Sequence, residues 1–237
     1  MQLAELPGAT SDSPPATAER IADVLRQRMV EGVLPPGTPV REATVAAQLG
    51  VSRNTLREGL RLLVASGLVE VRLYRGAIVK ALTPMELRDI YRVRRILELQ
   101  AVEESAVAAQ EAIDRVGAAV RRAEEAVAEQ AWKQVGTASL RFHQALVALL
   151  GSERVDSFFQ NIVAQLRLAF AQTATDEAFQ PPWVPRDRLI FELLRTGRRA
   201  EARNELRSYL EDSERAVLDL LRGSYSGGNH PGEVDSS

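Results

Sequence analysis

Between Ala18 and Lys80 the chain changes its local pattern several times, and the order of those changes restricts the fold more than any other feature. Ile21, Val24, Leu25 and Arg28 recur at helical spacing from about Ala18 to Glu31, and Gly32 follows as a stop. Pro35-Pro36-Gly37 cannot continue a helix and marks a turn. A short helix is expected over Glu42–Leu49, ended by Gly50. Ser52 is placed to cap a third, Arg53–Ala65, which buries Leu56, Leu60 and Leu63 and turns Arg53, Asn54, Arg57 and Arg61 outward. After Gly67, LVEVRL and GAIVK read as two short strands joined around Tyr74-Arg75-Gly76. Helix, helix, tight turn, helix and hairpin is the order of a winged helix-turn-helix. That unit needs a small residue at its turn and a second helix with an apolar back and a cationic front.

Charge is distributed to match. The whole chain carries a formal −2. From Thr17 to Leu82 there are ten cations and six anions, so the basic excess sits in the first third, as expected of a part that meets phosphates. The absence of cysteine excludes disulfides and thiolate metal sites. No apolar run reaches the roughly 18–20 residues that cross a bilayer, and the first residues lack the pattern of a signal peptide. A cytoplasmic protein without membrane contact is expected.

The fold class expected is mainly α: a winged helix-turn-helix over 17–82, then an all-α bundle over 83–222. A disordered arm, 1–16, and a disordered tail, 223–237, are rich in Pro, Ser and Gly. Thr83, Pro84 and Glu86 form a helix start with a capping box. Helices are expected at about 84–109, 111–133, 137–150, 153–173, 185–196 and 199–222, with Thr173–Pro185 as a loop because it holds Pro181, Pro182 and Pro185.

The segment GVSRNTLREGLRLLVASGLVEVR, preceded by LPPGTPVREATVAAQLG, resembles the winged helix-turn-helix of GntR-family regulators. Pro36-Gly37, Glu42, Gly50-Val51-Ser52-Arg53 and Arg57-Glu58 carry the resemblance. Asn54-Thr55 departs from the commoner Thr-Pro, and Gly59 stands where Ala is usual, a change expected to cost about 0.5–1 kcal/mol of helix stability. IYRVRRILELQAVEESA is similar to the opening helix of the FCD-type ligand domain of the FadR branch, with Arg94 and Glu98 as its recurring pair. The length of the second region resembles the shorter, six-helix variety. The resemblance implies a homodimer on a short palindrome of double-stranded DNA, a bundle with a central cavity, and a small organic-acid effector.

Arg53 and Arg57 lie one turn apart at the start of the expected recognition helix, and arginine fits guanine O6 and N7 bidentately. Ser52, Asn54 and Thr55 surround them at the positive helix N-terminus. Arg41 suits a backbone contact, and Gly76 beside Arg75 lets a wing approach the minor groove. In the bundle, Arg94 falls on the stripe of Leu87, Ile90, Leu97 and Ala101. A buried cation must be paired, either by a protein carboxylate such as Glu98 or by a bound anion. His143 shares a face with Leu140, Val147 and Leu150.

Many relatives hold a metal with an Asp-x-x-x-His pair and two later histidines. Residue by residue those positions are Ser139, His143, Asp187 and Tyr209. One imidazole and a distant carboxylate make His143 and Asp187 weak metal candidates, so no metal or other cofactor is expected. The same residues, with Arg94, are the expected effector contacts. A DNA-binding transcription regulator, more specifically a repressor with an organic-acid effector and no enzymatic activity, leads. An architectural DNA-binding dimer without effector and a metal-dependent enzyme in the bundle remain as alternatives.

Overall fold

The computed structural model describes residues 14–173 and 176–226. The arm expected over 1–16 and the tail expected over 223–237 lie outside these residues, apart from their inner ends, which are helical.

Helix α1 (Pro14–Val30) begins four residues earlier than its periodicity predicts. Pro14 and Pro15 explain the extension, since the first turn of a helix has no use for their missing N–H groups. Helix α2 (Glu42–Leu49) and helix α3 (Arg53–Ala65) have the expected bounds. Gly50 makes the turn between them in the left-handed region, φ 65°, where a side chain would be strained. Ser52 caps α3 by accepting from the Thr55 amide at 3.1 Å. Strands β1 (Val69–Arg72) and β2 (Gly76–Val79) pair antiparallel.

The turn after α1 does more than its Pro-Pro-Gly suggests. Gly37 donates to Val79 O, Val40 to Ala77 O, and Val79 to Thr38 O, all at 2.8–2.9 Å. Residues 37–40 therefore line the other edge of β2 and tie the wing to the loop before α2.

Gly59 has a packing role that its helix propensity hides. A Cβ there would lie 2.7 Å from Ile21 Cγ2 and 3.0 Å from the Ala18 carbonyl oxygen. The missing side chain lets α1 and α3 cross closely over Ile21, which is fully buried. Gly59→Ala should thus lower stability by about 1–3 kcal/mol from overpacking, outweighing the gain in helix propensity. Thermal melts of the two proteins check this, and a rise in melting temperature would mean that the crossing is looser.

Seven helices follow among the described residues. They are α4 (Pro84–Glu104), α5 (Gln110–Ala128), α6 (Trp132–Val147), α7 (Glu153–Thr173), α8 (Asp176–Phe179), α9 (Val184–Arg195) and α10 (Arg199–Ser226). The capping box forms as expected: Thr83 Oγ1 accepts from the Glu86 amide at 3.3 Å and Glu86 accepts from the Thr83 amide at 2.9 Å. Several boundaries differ from expectation: α4 ends at Glu104 rather than near 109, and α10 runs on to Ser226, into the segment expected as a disordered tail. Helix α5 ends early because Gln130 takes φ 55°. Helix α6 starts before Gly136, which is buried inside the helix rather than breaking it. The segment read as a loop over Thr173–Pro185 contains the single-turn helix α8, and among its described residues the chain turns at 181–183 before α9 begins at Val184. Helices α5 and α6 pack as a hairpin, and α4 pairs with α10. Helix α7 touches α6, α10 and α4 and also α1 of the N-terminal unit. One continuous apolar core runs from Ile21 through Leu63 and Phe159 to Val217.

Candidate nucleic-acid interface and buried polar pocket

The outer face of α3 presents Arg53, Asn54 and Arg57, all exposed, with Ser52 at its head. Arg53 makes no ion pair among the described residues. Arg57 Nε donates to Glu42 at 2.8 Å, which uses one of the five guanidinium N–H donors and leaves four. The Ser52 and Thr55 hydroxyls lie 2.7 Å apart. Since one hydroxyl donates to the other, the pair keeps one O–H for an outside acceptor. Arg41 is exposed at the head of α2, and Arg75 and Gly76 are exposed in the wing. Arg61 and Arg72 are ion-paired to Glu58 and Glu70, each at 2.6 Å, and Lys80 is paired to Glu86.

The wing apex holds a residue that sequence reasoning passed over. Tyr74 is 97% exposed with φ 62°. An aromatic ring held out at a turn in the left-handed region has no packing explanation.

In the bundle the five residues singled out are all buried, and the fold brings them together. Arg94 Nε donates to Glu98 Oε1 at 2.7 Å, and Glu98 Oε2 lies 2.7 Å from His143 Nδ1. Ser139 donates to Asp187 Oδ2 at 2.9 Å and sits 3.5 Å from the Tyr209 hydroxyl. The His143 and Tyr209 rings meet edge to face at 5.0 Å. Glu98 was expected as a possible pair for Arg94. Its full burial departs from the stripe read through Leu97, which is only half-buried, because the inward face drifts from Leu97 to Glu98 along α4.

Electrostatics follow from burial and pairing. Burial pushes the Glu98 carboxyl up, but Arg94 and His143 outweigh it and hold it below its usual range. Burial lowers the His143 imidazole despite Glu98 beside it, which favours the neutral ring. With a carboxylate at Nδ1, the proton sits on Nδ1 and Nε2 is the acceptor. Burial lifts the Asp187 carboxyl well above its usual range, against the pull of Ser139 and Arg94.

These residues do not fit a divalent metal. The His143 ring is oriented by a carboxylate, as a ligating histidine commonly is, but its companions are Ser139, Asp187 and Tyr209. Among the described residues no group of three His, Cys, Asp or Glu converges. One imidazole, one carboxyl and two hydroxyls make a weak donor set.

Arg94, Ser139, His143 and Tyr209 line a cavity of only about 10 Å³, room for about one water. Phe179, Gln180 and Trp183 close it. Arg94 Nη2, Gln180 Nε2 and Trp183 Nε1 are buried donors without an acceptor, and Asp187 Oδ1 is likewise unpartnered. Gln180 and Trp183 were missed because they flank Pro181-Pro182 in a segment read as a loop.

Comparison with known proteins agrees with this architecture. Residues 17–79 match the family model "Bacterial regulatory proteins, gntR family", and residues 89–212 match the FCD domain. The chain is 38% identical over 86 residues to the gluconate operon transcriptional repressor of Bacillus subtilis, covering 36% of this chain and 35% of that protein. It is 33% identical over 128 residues to an HTH-type transcriptional regulator of Agrobacterium vitis, covering 52% of this chain and 75% of that one. The match thus spans about a third of the length of the first of these relatives. A GntR transcriptional regulator from Rhodococcus sp. RHA1 has a solved structure that superposes with a TM-score of 0.79 at 32% identity, covering 86% of this chain and 98% of that one. E. coli McbR/YncC shares the fold, with a TM-score of 0.73 at 17% identity over 88% of this chain and 98% of that one. The chain belongs to the GntR family of bacterial regulatory proteins and carries an FCD domain.

Proposed function

We propose that the chain is a sequence-specific DNA-binding transcription regulator of the repressor type, whose operator affinity is set by a small organic acid bound in the helical domain. The observation that carries this is α3, a capped helix with a buried Leu56–Leu60–Leu63 back and an exposed Arg53–Arg57 front. Names of relatives such as the gluconate operon repressor support the repressor sense. In this reading the DNA-binding domain ends at Leu82 and the effector and dimerisation domain begins at Thr83. The chain acts as a cytoplasmic homodimer on a palindrome, one winged unit to each half-site. No enzymatic step and no metal are assigned. No helix of the described residues is long and apolar enough to cross a membrane. Selection from a random duplex library tests the proposal: we expect one two-fold site to be enriched, and recovery of unrelated sequences would contradict it.

Helix α7 supplies the route between the two sites. Toward the DNA-binding unit, Asn161 accepts from Arg26 at 2.7 Å and Gln165 donates to the Ser66 carbonyl, the C-cap of α3, at 2.8 Å. Toward the pocket, the same helix presents Leu166 and Phe170. Coupling between sites is reciprocal, so operator binding should change amide exchange at residues 165–170 without any effector present. Gln165→Leu should remove that change. Hydrogen exchange with and without the selected duplex measures it, and protection confined to residues 41–76 would disprove the route.

One observation favours the second reading, an architectural dimer without effector: the pocket holds only about 10 Å³ of space. A ligand larger than a water molecule enters only if the cavity wall rearranges.

A further inference from the structure

The wing ends in a group of side chains that the fold does not cover. Tyr74 at its apex is 97% exposed, Leu73 beside it 80%, and Val71 on β1 72%. Apolar side chains scattered singly over a surface need no explanation, but three at one tip form a patch that water solvates poorly. The turn that carries them is strained. Tyr74 holds φ 62°, a conformation that glycine or asparagine adopts far more readily. A turn that served only to join β1 to β2 has less strained residues to use, so the ring at the apex needs a reason of its own.

The support beneath the tip is stiff. Strand β2 is hydrogen-bonded along both edges, to β1 on one side and to residues 37–40 on the other. Ala77, Ile78 and Val79 are buried at its root. The Arg75 amide closes the turn by donating to the Arg72 carbonyl at 3.1 Å. The apex is thus held away from the domain on a braced hairpin, in the same unit that carries α3.

Charge limits what the tip meets. Arg75 is exposed and makes no ion pair among the described residues, whereas Arg72 is matched by Glu70 at 2.6 Å. An unmatched cation beside an apolar tip fits a partner with an anionic rim and an apolar interior. The minor groove of duplex DNA has both: phosphates along its edges, deoxyribose C–H groups on its walls and stacked bases beneath. An apolar side chain driven into that groove parts the stack at one step and kinks the duplex toward the major groove. A pyrimidine followed by a purine is the step that unstacks most easily.

We propose that the wing is a wedge. Tyr74 enters the minor groove beside the half-site that α3 reads and partly unstacks one base step, with Leu73 against the sugars and Arg75 on a flanking phosphate. The protein therefore bends its operator and selects a pyrimidine–purine step that no side chain of α3 touches. The assignment rests on the sequence-specific DNA reading above and deepens it.

The test uses the full chain on the selected duplex, with permanganate oxidation of its thymines to detect unstacking and end-to-end energy transfer to detect bending. Tyr74→Phe keeps the ring. Tyr74→Asn removes it and suits the left-handed turn, so its melting temperature should equal or exceed that of the parent. We expect the parent and Tyr74→Phe to sensitise one thymine per half-site and to draw the duplex ends together. Tyr74→Asn should lose both signals. Its preference for a pyrimidine–purine step over G–C pairs at that position, about tenfold in the parent, should fall to near one. Selective binding by the parent with no reactive thymine and straight DNA overturns the wedge and leaves the reading by α3 standing. So does a Tyr74→Phe protein as impaired as Tyr74→Asn, which would assign the role to the hydroxyl. A Tyr74→Asn protein with unchanged DNA signals but an altered sedimentation coefficient also overturns it, since the tip would then be a contact between copies of the chain. Failure of the parent to favour any duplex counts against the DNA reading itself.

Discussion

Replacing Arg53 or Arg57 with alanine should each weaken operator binding by about 1–3 kcal/mol. Both side chains project from the first turns of α3, where a docked helix meets base edges. The two are not equivalent. Arg53 is free to reach a base or phosphate. Arg57 is tethered to Glu42 through Nε, so its guanidinium is oriented before binding and loses less freedom on docking. Its removal also leaves Glu42 unpaired facing the phosphates, so Arg57→Ala should be the costlier change. Anisotropy titrations at fixed salt on operator and random duplexes separate the two modes. Removing an arginine that reads a base edge relaxes preference at one position. Removing one that binds a phosphate weakens all sequences alike and reduces the salt slope. Two variants that bind the operator as tightly as the parent would show that α3 is not the reading helix.

The second large effect concerns Arg94. Deleting one partner of a buried pair leaves the other as an uncompensated charge, which typically costs about 3–5 kcal/mol. Arg94→Ala should therefore lower the melting temperature sharply, since Glu98 loses its guanidinium partner and keeps only His143. Arg94→Met combined with Glu98→Gln should recover most of the stability, because a neutral pair of similar volume does not need a counter-charge. Arg94→Lys separates structure from binding. An ammonium can pair with Glu98 but has no second planar nitrogen to offer a ligand, so it should hold more stability than alanine and still lose ligand affinity. Urea unfolding of the four proteins measures this. An Arg94→Ala protein as stable as the parent would mean that Glu98 is not held ionised in the core.

The DNA-binding unit was legible because its signals are local. Gly50, Ser52 and the Leu56–Leu60–Leu63 spacing act through neighbouring residues, and the bounds of α2 and α3 followed directly. The capping box at Thr83 and Glu86 is of the same kind. Gly59 was misread because its reason lies in Ile21, on another helix. In the pocket, Arg94, Ser139, His143, Asp187 and Tyr209 were named from a stripe and a resemblance, and the fold brings them into one cluster. The bond that joins Arg94 to His143 runs through Glu98, whose burial depends on the roll of α4 about its axis. Gln180 and Trp183 escaped notice because prolines mark a turn but do not say what the turn covers. Tyr74 carried a weak signal, an aromatic at a hairpin apex beside a glycine.

The central claim is that α3 and the wing read a specific sequence rather than bind duplexes at large. The most direct measurement is the ratio of dissociation constants for the selected duplex and a scrambled duplex of equal length, at physiological salt. We expect the selected site to be favoured by about a thousandfold or more, with the ratio falling in the Arg53→Ala and Arg57→Ala proteins. A ratio near one, unchanged by either substitution, would contradict it.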